Sequence, residues 1–148
     1  MRLVLYEPDI PQNVGAAIRV AACFDVGIEI IEPCGFPLNA REIRRVAMDY
    51  GALAEPKAHA SWEAFVATLD GARLLLLTTK GAAPLWDIEF KEDDVLLLGR
   101  ESAGVPEAVH EAADIRTRIP VAANARSLNV AVAGAVVLAE ARRQLGFD

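Results

Sequence analysis

The chain is expected to fold as an α/β domain, a mostly parallel sheet with helices on both faces. Three observations predict it. Apolar runs of strand length alternate with helix-period segments along all 148 residues. The runs at 73–78 and 94–98 are close to continuously apolar, the pattern of strands covered on both sides. Finally, the strand signals at 94–98 and 113–119 each lead into a loop punctuated by glycine or proline and then into a helix start. A parallel sheet presents small-ligand sites on such loops, at the carboxyl ends of its strands.

Taken in order, Arg2–Tyr6 reads as a strand and residues 11–24 as a helix opened by Pro8 and Pro11, with Asn13 able to cap it. Gly27–Ile31 is a second strand, closed by the turn Pro33-Cys34-Gly35-Phe36-Pro37. Asn39 is placed to cap a helix reaching Met48, and Ser61 one reaching Leu69 with Glu63 in its first turn. The last helix runs from about Ser127 to Leu145 and stops at Gly146. Between Leu128 and Ala141 it is apolar almost all round, Asn129 and Glu140 excepted, which predicts burial on every side, between the sheet and a second subunit. No repeat, low-complexity tract or linker interrupts the pattern, so residues 1–148 read as a single domain.

Composition narrows the function classes. At 53% hydrophobic and 24% charged residues, the chain is an ordinary globular sequence on the apolar side, consistent with a homodimer that covers part of its surface. No segment has the length of a membrane span, and the first residues carry a charge too early for a secretory leader, so a cytoplasmic location is expected. Cys23 and Cys34 have neither zinc-site spacing nor the number of a disulfide framework and read as buried, reduced thiols. No metal is expected. A net charge of −6 excludes gripping nucleic acid by bulk charge, leaving a local patch. Arg41, Arg44 and Arg45 on one predicted helix offer such a patch, or else a solvated face balanced by Glu32, Glu42 and Asp49. Arg100, Arg126, Arg142 and Arg143 lie near the loops named above.

Several chemistries are missing. Gly99 and Gly104 have the spacing of a phosphate loop, but Val105-Pro106 stands where Lys-Ser/Thr is needed. No G-x-G-x-x-G follows the first strand. His59 and His110, the only histidines, fall outside the two loops and read as surface residues. What remains is Asn13, Gly15 and Arg19 on the first helix, Glu101 in the first loop, and Ser127 and Asn129 in the second.

These segments resemble the three motifs of the SPOUT superfamily of RNA methyltransferases, in its SpoU (TrmH-like) 2′-O-ribose branch, across essentially the whole chain. Tyr6-Glu7-Pro8-x-Ile10-Pro11-x-Asn13-x-Gly15, Ile31-Glu32-Pro33-x-Gly35-Phe36, Asp49-Tyr50, Leu77-Thr78-Thr79-Lys80-Gly81 and Arg143-Gln144-Leu145-Gly146 are similar, more narrowly, to the TrmL group, which methylates the wobble nucleotide of tRNA. The resemblance implies a deep C-terminal trefoil knot, against the general rule that chains are unknotted. It also implies an S-adenosyl-L-methionine pocket in that knot, a homodimer, and the tRNA anticodon stem-loop as partner. By the same resemblance the cofactor would touch Leu77, Gly99, Ile119 and Ser127. Arg19 would be catalytic, with Asn13, Glu101, Ser127 and Asn129 in support. The family assigns Arg19 as base; a guanidinium holds its proton above pH ~12, so a phosphate clamp that stabilises the developing alkoxide is the other role open to it. Methylation at another tRNA or rRNA site, or RNA binding by a non-catalytic knotted dimer, are the alternatives. Two positions depart from the pattern: Ala131 stands where relatives often have serine, and Gly99-Arg100-Glu101 replaces the commoner Gly-Pro-Glu, putting at the rim a cation that meets RNA or solvent.

Overall fold

A computed structural model describes residues 1–80 and 83–146. Seven strands form one sheet: β1 (Arg2–Tyr6), β2 (Gly27–Ile31), β3 (Lys57–His59), β4 (Leu74–Leu77), β5 (Ala83–Pro84), β6 (Val95–Leu98) and β7 (Ile115–Arg118). Their order is β3-β2-β1-β6-β4-β7-β5, and every pair is parallel. Register follows the apolar alternation: Leu3, Leu96 and Leu75 align across β1, β6 and β4, with Leu5 and Leu98 two residues on. These side chains point to the face covered by α1 (Pro11–Cys23) and α5 (Val130–Leu145). Val4, Tyr6, Leu74, Leu76, Val95 and Leu97 point the other way, onto Phe65 of α3 (Trp62–Val66) and Val109 of α4 (Glu107–Ala112). Two apolar faces explain why these strands read as unbroken hydrophobic runs. The chain leaves β1 toward β2 on one side and returns to build β4, β6 and β7 on the other. The loops after β1 and β6 therefore part at a switch in strand order, where a crevice opens.

Some expectations change. Asn39 and Ser61 cap α2 (Ala40–Ala47) and α3 as their positions predict, accepting from the amides of Glu42 and Ala64. Yet α3 ends at Val66, because Thr68 and Leu69 already bond three residues back and Asp70 and Gly71 take positive φ. Strands β3 and β5 carried no usable signal, being short, at the sheet's edges and largely polar or proline-bearing. Helix α5 starts at Val130, with Asn129 capping Ala131 and Val132, while 127 and 128 stay in the loop. Within one chain α5 is covered on its sheet-facing side, and the side expected to meet a second subunit is open. Gly134, Val137, Leu138 and Ala141 face inward, but Val132 is 49% exposed and lines, with Val136 and Ala139, an apolar groove against Ala16, Val20 and Phe24. No helix among the described residues is long and apolar enough to cross a membrane.

Close approach of α1 and α2 depends on Gly15. A Cβ there would lie 2.2 Å from the Val46 carbonyl oxygen, a backbone atom that no rotamer change can move. Gly15→Ala is expected to push the helices apart and cost about 2–3 kcal/mol of stability; urea unfolding of the variant beside the parent chain checks it.

Candidate active site

The carboxyl ends of β4, β6 and β7 and the loop before α5 enclose a cavity of about 670 Å³. Leu77, Gly99, Ile119 and Ser127 line it together, as do Asn13, Glu101 and Asn129. Gly99 is dictated by geometry. A Cβ would sit 2.8 Å from the carbonyl carbon of Gly104, where the backbone folds back in paired Arg100–Gly104 hydrogen bonds. Gly104 itself takes φ +66°, open to glycine without strain.

A relay of side chains joins three loops across this cavity. The Glu101 carboxylate accepts from the Asp9 backbone amide at 2.8 Å and from Asn13 Nδ2 at 3.1 Å. Asn13 Oδ1 accepts from Asn129 Nδ2 at 2.9 Å, and Asn129 Oδ1 accepts the first free amides of α5, Ala131 and Val132. Asn13 is thus no cap: Pro11 opens α1, Ile10 holds the cap position, and the Asn13 amide is spent on Glu101 and Asn129.

Arg100 fastens the same loops from outside. Its guanidinium donates to Glu7 Oε2 at 3.2 Å and Asp9 Oδ1 at 2.7 Å, while Asp9 Oδ2 accepts from the Ser102 amide and hydroxyl. Arg100 is therefore an internal tie rather than a free cation, with 30% of its side chain left to solvent, and its partner Asp9 was not singled out in the sequence. The Arg100 bond, and then Ser102, hold the Asp9 carboxyl down to about 2.

Other assignments move as well. His59 is buried on β3, 2.7 Å from Glu29 Oε2, because edge strand β3 turns it inward onto Phe65. His110 lines the cavity from α4, its Nε2 3.1 Å from Thr78 Oγ1, which also accepts from the Lys80 amide. Pro106 just before α4 marks a helix start, the one sequence signal that could have brought His110 to the cavity wall. Cys23 is exposed, lying at the C-terminal end of α1, and Cys34 is only partly buried. Burial, followed by Glu32, Glu7 and Glu101, pushes the Cys34 thiol up to about 12, so it is no nucleophile. Arg142 binds the Phe24 and Asp25 carbonyls and Arg143 pairs with Glu140, away from the loops. Among the described residues, no three His, Cys, Asp or Glu side chains gather as a metal site would need.

Arg19 stands apart. It is exposed on α1, its guanidinium 4.9 Å from the centre of the Tyr50 ring and 3.6 Å from Met48 Sδ, and it lines the apolar groove rather than the cavity. Asn129 borders both.

The depressed Asp9 carboxyl sets a pH expectation. A carboxyl held below its unfolded value adds stability above about 3.8 that is lost as pH falls toward about 2. Asp9→Asn should lower Tm slightly at pH 6, the site being partly open to solvent, and the difference from the parent chain should vanish by about pH 2; calorimetry from pH 6 to 2 checks it.

Comparison with known proteins adds identity to this geometry. Residues 1–139 match the SpoU rRNA Methylase family. A Beijerinckia indica protein named tRNA (cytidine(34)-2′-O)-methyltransferase is 54% identical over 146 residues, covering 97% of this chain and 91% of its own. An Escherichia coli protein of the same name is 37% identical over 149 residues, covering 99% and 95%. Among solved structures, one described as giving insights into the 2-OH methylation of C/U34 on tRNA superposes with a TM-score of 0.92 at 41% identity, over 97% of this chain and 95% of that one. An AdoMet-bound rRNA methyltransferase from Sinorhizobium meliloti gives 0.85 at 31% identity, over 97% of this chain and 56% of that one. With its family matched along nearly its whole length, the chain belongs to the SpoU rRNA methylases.

Proposed function

We propose that this chain transfers a methyl group from S-adenosyl-L-methionine to the ribose 2′-hydroxyl of nucleotide 34 of tRNA, working as a homodimer in the cytoplasm. The observation that carries the reading is full-length likeness, at 54% identity, to a protein named for that reaction. Residues 1–148 are read as one domain that carries both the cavity and Arg19.

The cavity suits the cofactor. Apolar Leu77, Val105 and Ile119 offer contact to a flat base, and glycine at 99 leaves main-chain groups bare at the strand ends. When bound, the cofactor supplies a methyl carbon made electrophilic by the sulfonium. The residues here have to hold the reacting groups in line and keep the loops from moving, and positioning of that kind supplies much of such a rate. Glu101, Asn13 and Asn129 do so by fixing the β1–α1 loop, the β6–α4 loop and the start of α5 to one another. Ser127 offers a hydroxyl from the last loop. Arg19 is read as a clamp on the substrate phosphate that also favours the developing alkoxide.

Two further parts of the reading have support of different kinds. The deep knot is the family's arrangement for the path from β7 through 119–129 into α5, and the bond between Asn13 and Asn129, 116 residues apart, fits it. The homodimer is supported by the exposed apolar groove between α1 and α5. Arg19 lies in that groove, so a second copy seated there gives it a place in a complete site.

The test is to incubate the protein with radiolabelled S-adenosylmethionine and bulk tRNA lacking the modification, then map the label. Label on the ribose of nucleotide 34 is expected; cofactor binding with no label there would sink the reading. Arg19→Ala should lower kcat by roughly 10²-fold with cofactor affinity unchanged. Glu101→Ala, which frees both the Asp9 loop and Asn13, should instead raise the cofactor Kd by about tenfold or more, measurable by titration calorimetry.

A further inference from the structure

An acidic chain that works on a polyanion must collect its uncommitted cations in one place, because the field of the whole molecule repels the substrate. Lysine and arginine number 15 against 21 acids. Most of the arginines are already occupied: Arg2 with Glu29, Arg45 with Glu42, Arg73 with Asp94, Arg100 with Glu7 and Asp9, Arg143 with Glu140. Arg142 and Arg116 are held by backbone carbonyls. Arg126 stands exposed in the loop before α5. Arg41 and Arg44 lie elsewhere. Both are exposed on α2, and neither forms an ion pair among the described residues.

Their placement makes them one surface with Arg19. Arg41 and Arg44 are i, i+3 neighbours on α2, and Met48, the residue that closes its C-terminal end, reaches Arg19. The opposite side is the packed one, with Ala47 buried and Val46 against Gly15 of α1. Met48 ends the strip at φ +52°, a conformation that non-glycine residues rarely take, and its sulfur meets the Arg19 guanidinium. Glu42, the one carboxylate on α2, is consumed by Arg45. Asp49, one residue past Met48, is the remaining acid in the chain beside the strip.

We infer that Arg41 and Arg44 form, with Arg19, a phosphate-binding strip along which the RNA backbone lies as the target nucleotide enters the site. The inference rests on the tRNA reading above and names the face of the molecule that meets the substrate. Guanidinium forks suit phosphate oxygens, and such contacts fix position without reading sequence. Arg41 and Arg44 would therefore set affinity for every tRNA substrate and leave the choice of nucleotide to other contacts.

The experiment uses the full chain with both arginines changed to alanine (Arg41→Ala, Arg44→Ala), both changed to lysine, and Arg45→Ala as a control already tied to Glu42. Filter binding to unmodified tRNA is measured from about 0.05 to 0.3 M KCl, alongside cofactor titration and sedimentation. The alanine pair should weaken tRNA binding about tenfold at ~0.1 M salt and make the log K against log salt slope shallower by about 1.5. The lysine pair should recover most of both, and Arg45→Ala should change little. Cofactor affinity and sedimentation should stay at parent values. Unchanged tRNA affinity and slope would overturn the inference, as would a loss matched by altered sedimentation or cofactor binding. Binding is read separately from transfer, so a parent chain that binds tRNA but labels another nucleotide defeats the wobble assignment without touching the strip.

Discussion

A carboxylate that accepts one backbone amide and one side-chain amide at once fixes two segments to each other more firmly than either bond alone. Glu101 does this across the mouth of the crevice, taking the Asp9 amide and the Asn13 side chain. Asn13 hands the constraint on to Asn129, and Asn129 uses its remaining oxygen to start α5. Hydrogen bonds that span 88 to 116 residues of sequence thus tie three segments into one connected set. Such a set is worth most when complete, since losing any member leaves a polar group beside the cavity without its partner. Gly99 and Gly104 belong to the same constraint: the turn that carries Glu101 closes onto Gly99 because that residue has no Cβ, and Gly104 supplies the φ of +66°.

Much of this was legible in the sequence, and the exceptions have physical causes. Buried parallel strands must be apolar on both faces, so β1, β2, β4 and β6 announce themselves. Edge strands obey no such rule, and β3 and β5, with Lys57, His59 and Pro84, stayed hidden. Strand order is set by where crossovers pass, which leaves no local mark. Leu77, Gly99, Ile119 and Ser127, which the family resemblance implied as cofactor contacts, do share a cavity. The pairings around it were not legible. Asp9 gains its meaning only from Arg100 and Ser102, some 90 residues away, and a rim arginine reads as a free cation until its carboxylates are seen. Thr78 and His110 were missed likewise, being brought together from β4's end and α4.

Charge is distributed with the same economy. Arg100 sits among Glu7, Asp9 and Glu101, so the loop cluster carries less net negative charge than its acids imply. Without it, three carboxylates would face one another beside a cavity read as holding a cofactor, and each would oppose the closure that Glu101 needs. The replacement of a family-typical proline by arginine at position 100 is then compatible with order: proline would stiffen the backbone, and arginine stiffens the loop by cross-linking it to the segment after β1.

The separation of Arg19 from the cavity bears on what a single chain can do. In one copy the cavity, with its tied loops, and the exposed cation over Tyr50 lie in two concavities that meet at Asn129. A cavity alone binds a cofactor; a guanidinium alone binds a phosphate. Methyl transfer to a ribose needs both within reach of the same nucleotide, and the surface on which Arg19 lies is also the one on which Val132 and Ala139 leave apolar area open to water. Covering that area is favourable at roughly 25 cal/mol per Å². On the proposed reading, a second copy seated there would bury the outer face of α5 and bring Arg19 into a complete site by the same contact.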